Sequence, residues 1–263
     1  MNGNEQHRYS AIRGEMIHLE RKGLRPQEQS PALVMKKDLL DDFGRYLKAQ
    51  QALTEKRPRP QLPAITISRE AGAGATTISH LVAKILDQRC LGDPACPWAV
   101  LERNLVEKIL EDHKLPAALE RFMPEDAAFP LNDAVETLLG LHPSSWTLVE
   151  HTTQTIRRLA IMGNVILIGR GSNIISAHLP HVFNVRLVAP LRERVRRVKE
   201  YYQVKPAKAA QMVQDLDEAR RRYLRQYFRT DIDDPLQYHL TINTDHTGFE
   251  KAARVIANLV IDK

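Results

Sequence analysis

From residue 64 onward, short runs of β-branched and aliphatic residues alternate with stretches of helical periodicity, and this alternation constrains the fold most strongly. The predicted strands lie at residues 64–67, 98–101, 164–168, 182–188 and 238–242. Strands separated by helices imply βαβ crossovers, which build a parallel sheet with helices on both faces. The sequence therefore predicts an α/β domain.

A proline-rich run at residues 56–63 separates this domain from what precedes it. Pro58, Pro60 and Pro63 stand there among charged residues, and proline cannot continue a helix, so an extended linker is expected. Before it, apolar residues at helical spacing predict an amphipathic helix near residues 35–53. We therefore expect an N-terminal appendage at residues 1–60, partly helical or disordered, and the α/β domain at residues 61–263.

Composition limits where the protein acts. Apolar runs fall well short of the ~20 residues of a membrane-spanning helix, and the polar start of the chain does not resemble a signal peptide. Cys90 and Cys96 are the only cysteines. Without His or Cys partners nearby they are expected to be unpaired thiols, although one disulfide or half of a metal site is an alternative. The sequence predicts a cytoplasmic protein.

The net charge is +6, and basic residues are dense between residues 192 and 229. A basic cluster of this kind suits phosphate groups. The same cluster is also typical of a solvated helix surface or of a nucleic-acid footprint. Composition does not choose among these three.

The first predicted strand ends in a turn of small residues that enters a helix. Backbone N–H groups in such a turn can surround a phosphate, and the helix dipole favours its negative charge. In the pattern G-x-x-x-x-G-K-[ST], Gly74 is the second glycine and Thr76 the hydroxyl residue. Arg69 replaces the first glycine and Ala75 the lysine. The motif alone is weak, since a small-residue turn that enters a helix is more often a purely structural connection.

The order of the elements supports a ligand site at this turn. Ligands of open parallel sheets bind beyond the carboxyl ends of the strands, where the topology switches. The strand at residues 164–168 is followed by Gly169, Arg170 and Gly171. Arg170 is therefore expected at the same edge of the sheet, either on a ligand phosphate or paired with a helix end.

Seven segments in one order resemble the cytidylate kinase-like family, a branch of the phosphate-loop kinases related to bacterial cytidylate kinase. They are ITISRE at 65–70 with the small-residue turn, LERNLV at 101–106, GNVILIGRG at 163–171, VRLVAP at 185–190 with Arg194 and Arg197, Asp217 with Arg220 and Tyr223, DDP at 233–235, and INT at 242–244. Each segment is unspecific alone. Together, in register, they identify the chain as a member of this family.

The resemblance implies a P-loop NTPase fold with a five-stranded parallel sheet, a helical acceptor-binding insertion and an arginine-bearing lid. It implies transfer of the γ-phosphoryl group of ATP to a nucleoside monophosphate, CMP by default, assisted by Mg²⁺. Catalysis of this kind is mainly positioning and charge neutralisation. Neither a membrane nor a nucleic acid is expected as a partner, and the oligomeric state is open.

The resemblance also implies roles for individual residues. The turn would bind the donor phosphates through Gly72, Ala73, Gly74, Ala75, Thr76 and Thr77, and the Thr76 hydroxyl would bind Mg²⁺. The acceptor would be held by Glu102, Arg103 and Arg170. The catalytic set would be Arg69, Arg194, Arg197, Asp217 and Arg220, in which three lid arginines close over the transferring group and Asp217 orients them.

Each role has a simpler alternative. Arg194 and Arg197 are also typical of an exposed helix face. Asp217 and Arg220 have the spacing of an ordinary helix pair, worth only ~0.2–0.5 kcal/mol. Glu102 is equally typical of an acid at a helix N-terminus.

Two departures from typical cytidylate kinases bear on activity. Ala75 stands where they have lysine, and Gly171 stands where they have aspartate. Loss of a cationic clamp usually costs a few kcal/mol, or roughly several hundredfold in rate. The cytidylate kinase-like branch commonly lacks that lysine and carries Ser-Arg before the turn, as Ser68 and Arg69 do here. We hypothesise that Arg69 supplies the missing charge.

Three other functions stay open. A non-catalytic nucleotide sensor or scaffold is favoured by the missing lysine and by the appendage. The fold also hosts kinases of other small metabolites. Nucleic-acid binding ranks last, because interleaved aromatic residues and a known reading motif are missing.

Overall fold

The computed structural model describes residues 45–47, 49, 61–89, 97–102 and 145–261. The chain divides into two units, Met1–Arg45 and Tyr46–Lys263, and every element below belongs to the second. Several predictions lie outside the described residues: the polar segment 1–30, most of the helix at 35–53, both cysteines, Arg103 and the acceptor-binding insertion. The domain boundary at residue 60 stays a prediction.

Five short apolar segments form one sheet: β1 Ala64–Arg69, β2 Ala99–Leu101, β3 Val165–Ile168, β4 Val182–Val188 and β5 Leu240–Asn243. The strand order is β2-β3-β1-β4-β5, and every neighbouring pair is parallel. β3 reads as a continuous apolar run, and all four of its residues are buried, as expected for a parallel strand covered on both faces. The predicted five-stranded parallel sheet is confirmed, with small shifts at the strand ends.

The helices are α1 Ala75–Arg89, α2 Ser145–Met162, α3 Ser172–Ile175, α4 Leu191–Tyr202, α5 Pro206–Phe228, α6 Thr244–Thr247 and α7 Phe249–Ile261. Residues 191–228 form the two helices α4 and α5. Gln203 ends α4 in the left-handed conformation, and Pro206 opens α5 at a position where its missing N–H is not needed. In the part of the chain that the structure describes, no helix has both the length and the apolar character to cross a membrane.

Alternation along β1 separates an apolar face of the sheet from a polar one. Ile65 and Ile67 are fully buried in the main core with residues of α1 and α7, including Ile78 and Ile256. This face stabilises the sheet, since burial of a side chain of this size contributes ~1.5–3 kcal/mol.

The opposite face of the same strands carries a hydrogen-bonded polar row. Thr66 Oγ1 donates to Asn184 Oδ1 at 2.7 Å, and Asn184 Nδ2 donates to the Asn173 carbonyl of α3 at 3.4 Å. One register step further, Arg186 donates to Ser68 Oγ at 2.9 Å. Buried polar groups persist when they are paired in this way. The row therefore leads charged and polar groups toward the carboxyl edge of the sheet.

Candidate active site

The turn between β1 and α1 has a backbone that requires glycine at two positions. Gly72 has φ +79° and Gly74 has φ +85°, both in the left-handed region. A Cβ on Gly72 would lie 2.6 Å from the Arg194 carbonyl oxygen, and one on Gly74 would collide with the Phe249 ring. Conformation and close packing together exclude side chains at both positions.

Some N–H groups of the turn are hydrogen-bonded within the protein, and others are open, meaning that they have no acceptor among the described residues. The Ala71 N–H donates to Asp217 Oδ1 at 2.7 Å, and the Ala73 N–H donates to the Glu70 carbonyl at 3.3 Å. Among the described residues, no hydrogen-bond partner lies within reach of the N–H groups of Gly72, Gly74, Ala75, Thr76 and Thr77. The first turn of a helix leaves its N–H groups unpaired, and the dipole adds partial positive charge. The mouth of α1 is thus an anion-binding concavity.

Side chains at the start of α1 add to this concavity. Thr76 and Thr77 are exposed, so both hydroxyls are accessible from solvent. Ala75, at the position of the usual lysine, is 7% exposed and belongs to the main apolar core. The cation that the motif normally supplies from this position is replaced by a small packing residue.

Arg194 of α4 anchors the turn from below. Its guanidinium is bonded to Asp217 Oδ2 at 2.5 Å, to the Ala189 carbonyl at 2.9 Å and to the Ala71 carbonyl at 3.3 Å, and it lies 3.3 Å from Glu70 Oε2. The residue is 8% exposed, so it does not lie on an exposed helix face. These contacts hold the turn on α4, and a catalytic role for Arg194 stays a prediction.

Asp217 of α5 joins the turn to α4. Besides Arg194 and the Ala71 N–H, it accepts from Arg220 Nη1 at 3.1 Å. Arg220 in turn lies 3.4 Å from the Arg69 carbonyl at the end of β1. Three donors thus satisfy the buried Asp217 carboxylate. Asp217 is therefore placed to orient the arginines around the turn.

Arg197 contacts the turn from the side of β5. It donates to Thr244 Oγ1 at 3.0 Å and to the Gly72 carbonyl at 3.4 Å. Its guanidinium stacks over the Phe249 ring, 4.9 Å from the centroid. Phe249 also lies against Gly74, so the start of α7 closes this side of the turn.

Arg69 extends from β1 toward the end of β3. Its guanidinium occupies the space that a side chain at Gly169 would need. The residue also lines a pocket of about 180 Å³. The pocket is lined by Arg69, Glu70, Arg186, Asp217, Arg220, Arg221 and Ile232. Four arginines against two acids make its lining basic.

Two of these arginines are neutralised by a further acid. Asp233 accepts from Arg186 at 2.6 Å and from Arg221 at 3.1 Å. Arg186 is 4% exposed, and a buried charge is retained only when it is paired. Arg69 and Arg220 are the other two arginines of the lining, and Arg220 is paired with Asp217 at 3.1 Å.

Arg170 adopts a backbone conformation that is costly for a residue with a side chain. Its φ is +58°, between Gly169 at +80° and Gly171 at +71°. Strain of this kind concentrates at functional sites. The guanidinium lies over the Tyr223 ring of α5, 5.6 Å from the centroid. Arg170 thus follows β3 at the carboxyl edge of the sheet, and its side chain contacts α5.

Gly171 has a structural reason for replacing the usual aspartate. A Cβ at this position would lie 2.7 Å from Phe228 Cε2. Phe228 is the last residue of α5, so the end of α5 packs where an aspartate side chain would lie. The close packing of Phe228 on Gly171 therefore leaves no room for the aspartate side chain.

Glu102 follows β2 directly at the carboxyl edge. Its Oε1 is buried and has no hydrogen-bond partner within the described part of the chain. Of the predicted acceptor-binding residues, Glu102 and Arg170 follow strands at this edge of the sheet, and Arg103 is outside the described residues.

Sequence reasoning missed Glu70, Arg186 and Phe249. Glu70 Oε2 accepts a hydrogen bond from the Ala189 N–H at 3.0 Å and so connects the turn to the residues just before α4. The only early signal was Arg186, because a charged residue inside an apolar strand run is rare unless it is paired. Glu70 and Phe249 depend on contacts between distant segments, which no local pattern indicates.

A parallel sheet in this strand order, with its first strand entering a glycine-rich turn and a helix mouth, is a phosphate-loop fold. The sequence matches the cytidylate kinase-like family over residues 64–246. The match spans more than half of the chain, and the protein belongs to the cytidylate kinase-like family.

One solved structure supports this fold, and two others are more distantly similar. An uncharacterized protein from Eubacterium ventriosum is similar with a TM-score of 0.55 and 21% identity, covering 78% of this chain and 100% of that one. A shikimate kinase from Acinetobacter baumannii has a TM-score of 0.39 and 18% identity, covering 76% of this chain and 94% of that one. The APS kinase of Mycobacterium tuberculosis has a TM-score of 0.42 and 14% identity, covering 78% of this chain and 99% of that one. No curated protein matches the chain.

Proposed function

We propose that this protein transfers the γ-phosphoryl group of ATP to a nucleoside monophosphate, CMP by default, in the cytoplasm. The observation that carries the proposal is the set of five open N–H groups at the mouth of α1, beside a basic pocket at the same edge of the sheet. A helix mouth of this kind binds phosphate groups. The kinase-like fold supports nucleotide-dependent phosphoryl transfer as the reaction.

The donor binds at the turn in this proposal. The open N–H groups of Gly72 and of Gly74 to Thr77 hold the β- and γ-phosphates. Mg²⁺ generally keeps several waters and uses few protein ligands beside the phosphates, so the accessible Thr76 hydroxyl fits as its protein ligand. Mg²⁺ held there would supply positive charge to neutralise the phosphate groups during transfer. The described residues contain no cluster of three acids, cysteines or histidines that would hold a metal without a nucleotide.

The acceptor phosphate occupies the basic pocket. Arg69 and Arg220 line it, and Arg170 stands at the neighbouring strand end. In the transfer, the bond from the γ-phosphorus to ADP breaks as a bond to an acceptor phosphate oxygen forms. That oxygen is already anionic, so the step requires positioning and charge neutralisation without a strong base.

A release assay for ADP tests the proposal. The full chain is incubated with ATP and Mg²⁺, alone and with each common nucleoside monophosphate. ADP formation that rises with one monophosphate supports the kinase. Arg170→Ala should weaken this response, because the acceptor phosphate loses one of its cations. ADP formation at background with every monophosphate would contradict the proposal.

A nucleotide sensor is the second candidate. It is favoured by Ala75 in the core and by the full engagement of Arg194 and Asp217 with protein atoms. The sensor would bind MgATP at the turn with no turnover in the same assay, which separates it from the kinase.

Thr76→Val should weaken MgATP binding about tenfold, since a hydrogen-bonded or metal-bound hydroxyl typically contributes ~1–1.5 kcal/mol. Binding of ATP without Mg²⁺ should change little. Thr76→Ser retains the hydroxyl and should bind MgATP like the wild type. Titration calorimetry with and without Mg²⁺ measures all three. Equal MgATP affinities for the Val and Ser variants would remove Thr76 from the metal site.

A further inference from the structure

Three aromatic side chains cluster at the end of α5. The centroid of the Tyr223 ring lies 5.1 Å from that of Tyr227 and 5.9 Å from that of Phe228. Both pairs are tilted, with interplanar angles of 54° and 59°. Offset and tilted arrangements at such separations are favourable for aromatic rings. The two neighbouring rings therefore fix the position of the Tyr223 ring on α5.

This aromatic cluster packs on the turn that follows β3. The Arg170 guanidinium lies over the Tyr223 ring, 5.6 Å from its centroid. Phe228 approaches the next residue of the turn, Gly171, so closely that a Cβ there would lie 2.7 Å from Phe228 Cε2. Two consecutive residues of the turn thus contact the same end of α5. The position of Arg170 therefore depends on the packing of that helix.

Both partners of this stack are neighbours of residues that line the basic pocket. A side chain at Gly169, directly before Arg170, would meet the guanidinium of Arg69. Arg69 lines the pocket, and so does Arg220. Arg220 lies three residues before Tyr223 on α5, and residues at this spacing are neighbours on a helix surface. The stack of Arg170 on Tyr223 therefore adjoins the predicted acceptor site.

Stacking on a ring orders an arginine without using its N–H groups. The cation lies over the face of the ring, whereas the N–H groups of a guanidinium point outward in its own plane. The left-handed backbone of Arg170, with φ +58°, is unfavourable for a residue with a Cβ, and such strain concentrates at functional sites. A side chain ordered in advance loses less conformational freedom when it binds a ligand.

We propose that Tyr223 is a positioning residue, which holds the Arg170 guanidinium flat on its ring so that the N–H groups meet the acceptor phosphate. The proposal rests on the proposed function, in which Arg170 binds that phosphate. It adds that the affinity for the acceptor depends on an aromatic ring that acts only through Arg170. The phenol hydroxyl has no part in this role.

Calorimetric titration of the full chain with CMP, in the absence of ATP, tests this role. Tyr223→Leu should weaken CMP binding about threefold to tenfold, as expected for the loss of one cation–π contact. Tyr223→Phe retains the ring face and should bind CMP within about twofold of the wild type. Tyr201→Leu is the matched control, because Tyr201 is 71% exposed on α4. This variant should leave the CMP affinity unchanged.

A double-mutant cycle distinguishes positioning from general packing. Arg170→Ala alone should weaken CMP binding. In that background Tyr223→Leu should add less than about twofold, because the ring no longer has a guanidinium to hold. Tyr223→Leu should also leave the binding of Mg²⁺ with a non-hydrolysable ATP analogue unchanged, since the donor turn is anchored by Asp217 and Arg194.

An NMR measurement gives a second readout that needs no nucleotide. Protons above an aromatic ring are shielded by its ring current. The Hε resonance of Arg170 should therefore be shifted upfield in ¹⁵N-labelled wild-type protein and in Tyr223→Phe. In Tyr223→Leu the resonance should return toward the position of an unstacked arginine. The same Hε position in all three proteins would overturn the proposal.

The binding experiments have equally clear contrary results. Wild-type protein that does not bind CMP would overturn the proposal, as would wild-type CMP affinity in Tyr223→Leu. Equal losses from Tyr223→Leu with and without Arg170, or equal losses for CMP and the ATP analogue, would make the ring a packing residue only.

The positioning role and the proposed function can fail separately. The expected CMP pattern without ADP formation would refute the kinase and leave the role of Tyr223 intact. ADP formation with CMP, together with unchanged CMP affinity in Tyr223→Leu, would refute the role of Tyr223 and leave the kinase intact.

Discussion

Arg69→Ala should lower the rate of ADP formation by about two to three orders of magnitude. The motif's lysine is absent, and Ala75 is buried in the core. Arg69 lines the basic pocket at the end of β1 and extends to Gly169 at the end of β3. Its charge therefore lies between the predicted donor and acceptor phosphates. Removal of a cation that stabilises the transition state affects kcat more than binding.

Steady-state kinetics of ADP formation, with each substrate varied in turn, measures this effect. Arg69→Lys keeps the charge and loses the planar fork, so it should recover only part of the rate. Arg196→Ala is the matched control, because Arg196 is exposed on α4 and pairs only with Glu193 and Glu200. It should leave the rate unchanged.

Gly169→Ala tests the same role without removal of the arginine. The new methyl group would take the place of the Arg69 guanidinium and so displace it. Turnover should fall while the charge of the protein is unchanged. If Arg69→Ala turned over ATP like the wild type, Arg69 would not replace the lysine.

Asp217→Leu should lower the free energy of unfolding by about 3–5 kcal/mol. The substitution leaves Arg194, 8% exposed, with only Glu70 as an acidic partner among the described residues, and it removes the acceptor for the Ala71 N–H. Double substitution of Arg194 and Asp217 by leucine removes the stranded charge and should restore much of the loss. Urea unfolding of the three variants measures the coupling between the two residues.

An exposed ion pair on α4 provides the control. Arg196 and Glu200 are 51% and 57% exposed and lie 2.8 Å apart. Glu200→Ala should cost less than ~1 kcal/mol, because solvent screens such pairs. If Asp217→Leu cost as little as Glu200→Ala, the buried pair would not anchor the turn.

The sheet was predictable because strand signals are local. Each strand is a short apolar run bounded by polar or glycine residues, and parallel strands buried on both faces preserve that signal. The turn at Gly72 and Gly74 was found for the same reason, since its small residues stand together in the sequence. The exact strand ends were not found, because they depend on register with neighbours.

The site itself was only partly predictable. Arg194 and Arg197 are separated by one helical turn and look alike in the sequence. Arg194 is buried among carbonyls and acids, whereas Arg197 lies on Phe249 beside Thr244. The packing of α5 and α7 against the turn decides between these environments. Long-range packing of this kind leaves no local pattern in the sequence. The contacts of Glu70 with Ala189 and of Phe249 with Gly74 could therefore not be predicted.

The central claim is that backbone N–H groups at the mouth of α1 bind a polyphosphate. Titration of ¹⁵N-labelled protein with Mg²⁺ and a non-hydrolysable ATP analogue tests it directly by amide chemical shifts. The largest changes should fall on Gly72, Gly74, Ala75, Thr76 and Thr77, with Ala71 and Ala73 less affected because their N–H groups are already bonded. Saturable binding that leaves these five resonances in place would contradict the account.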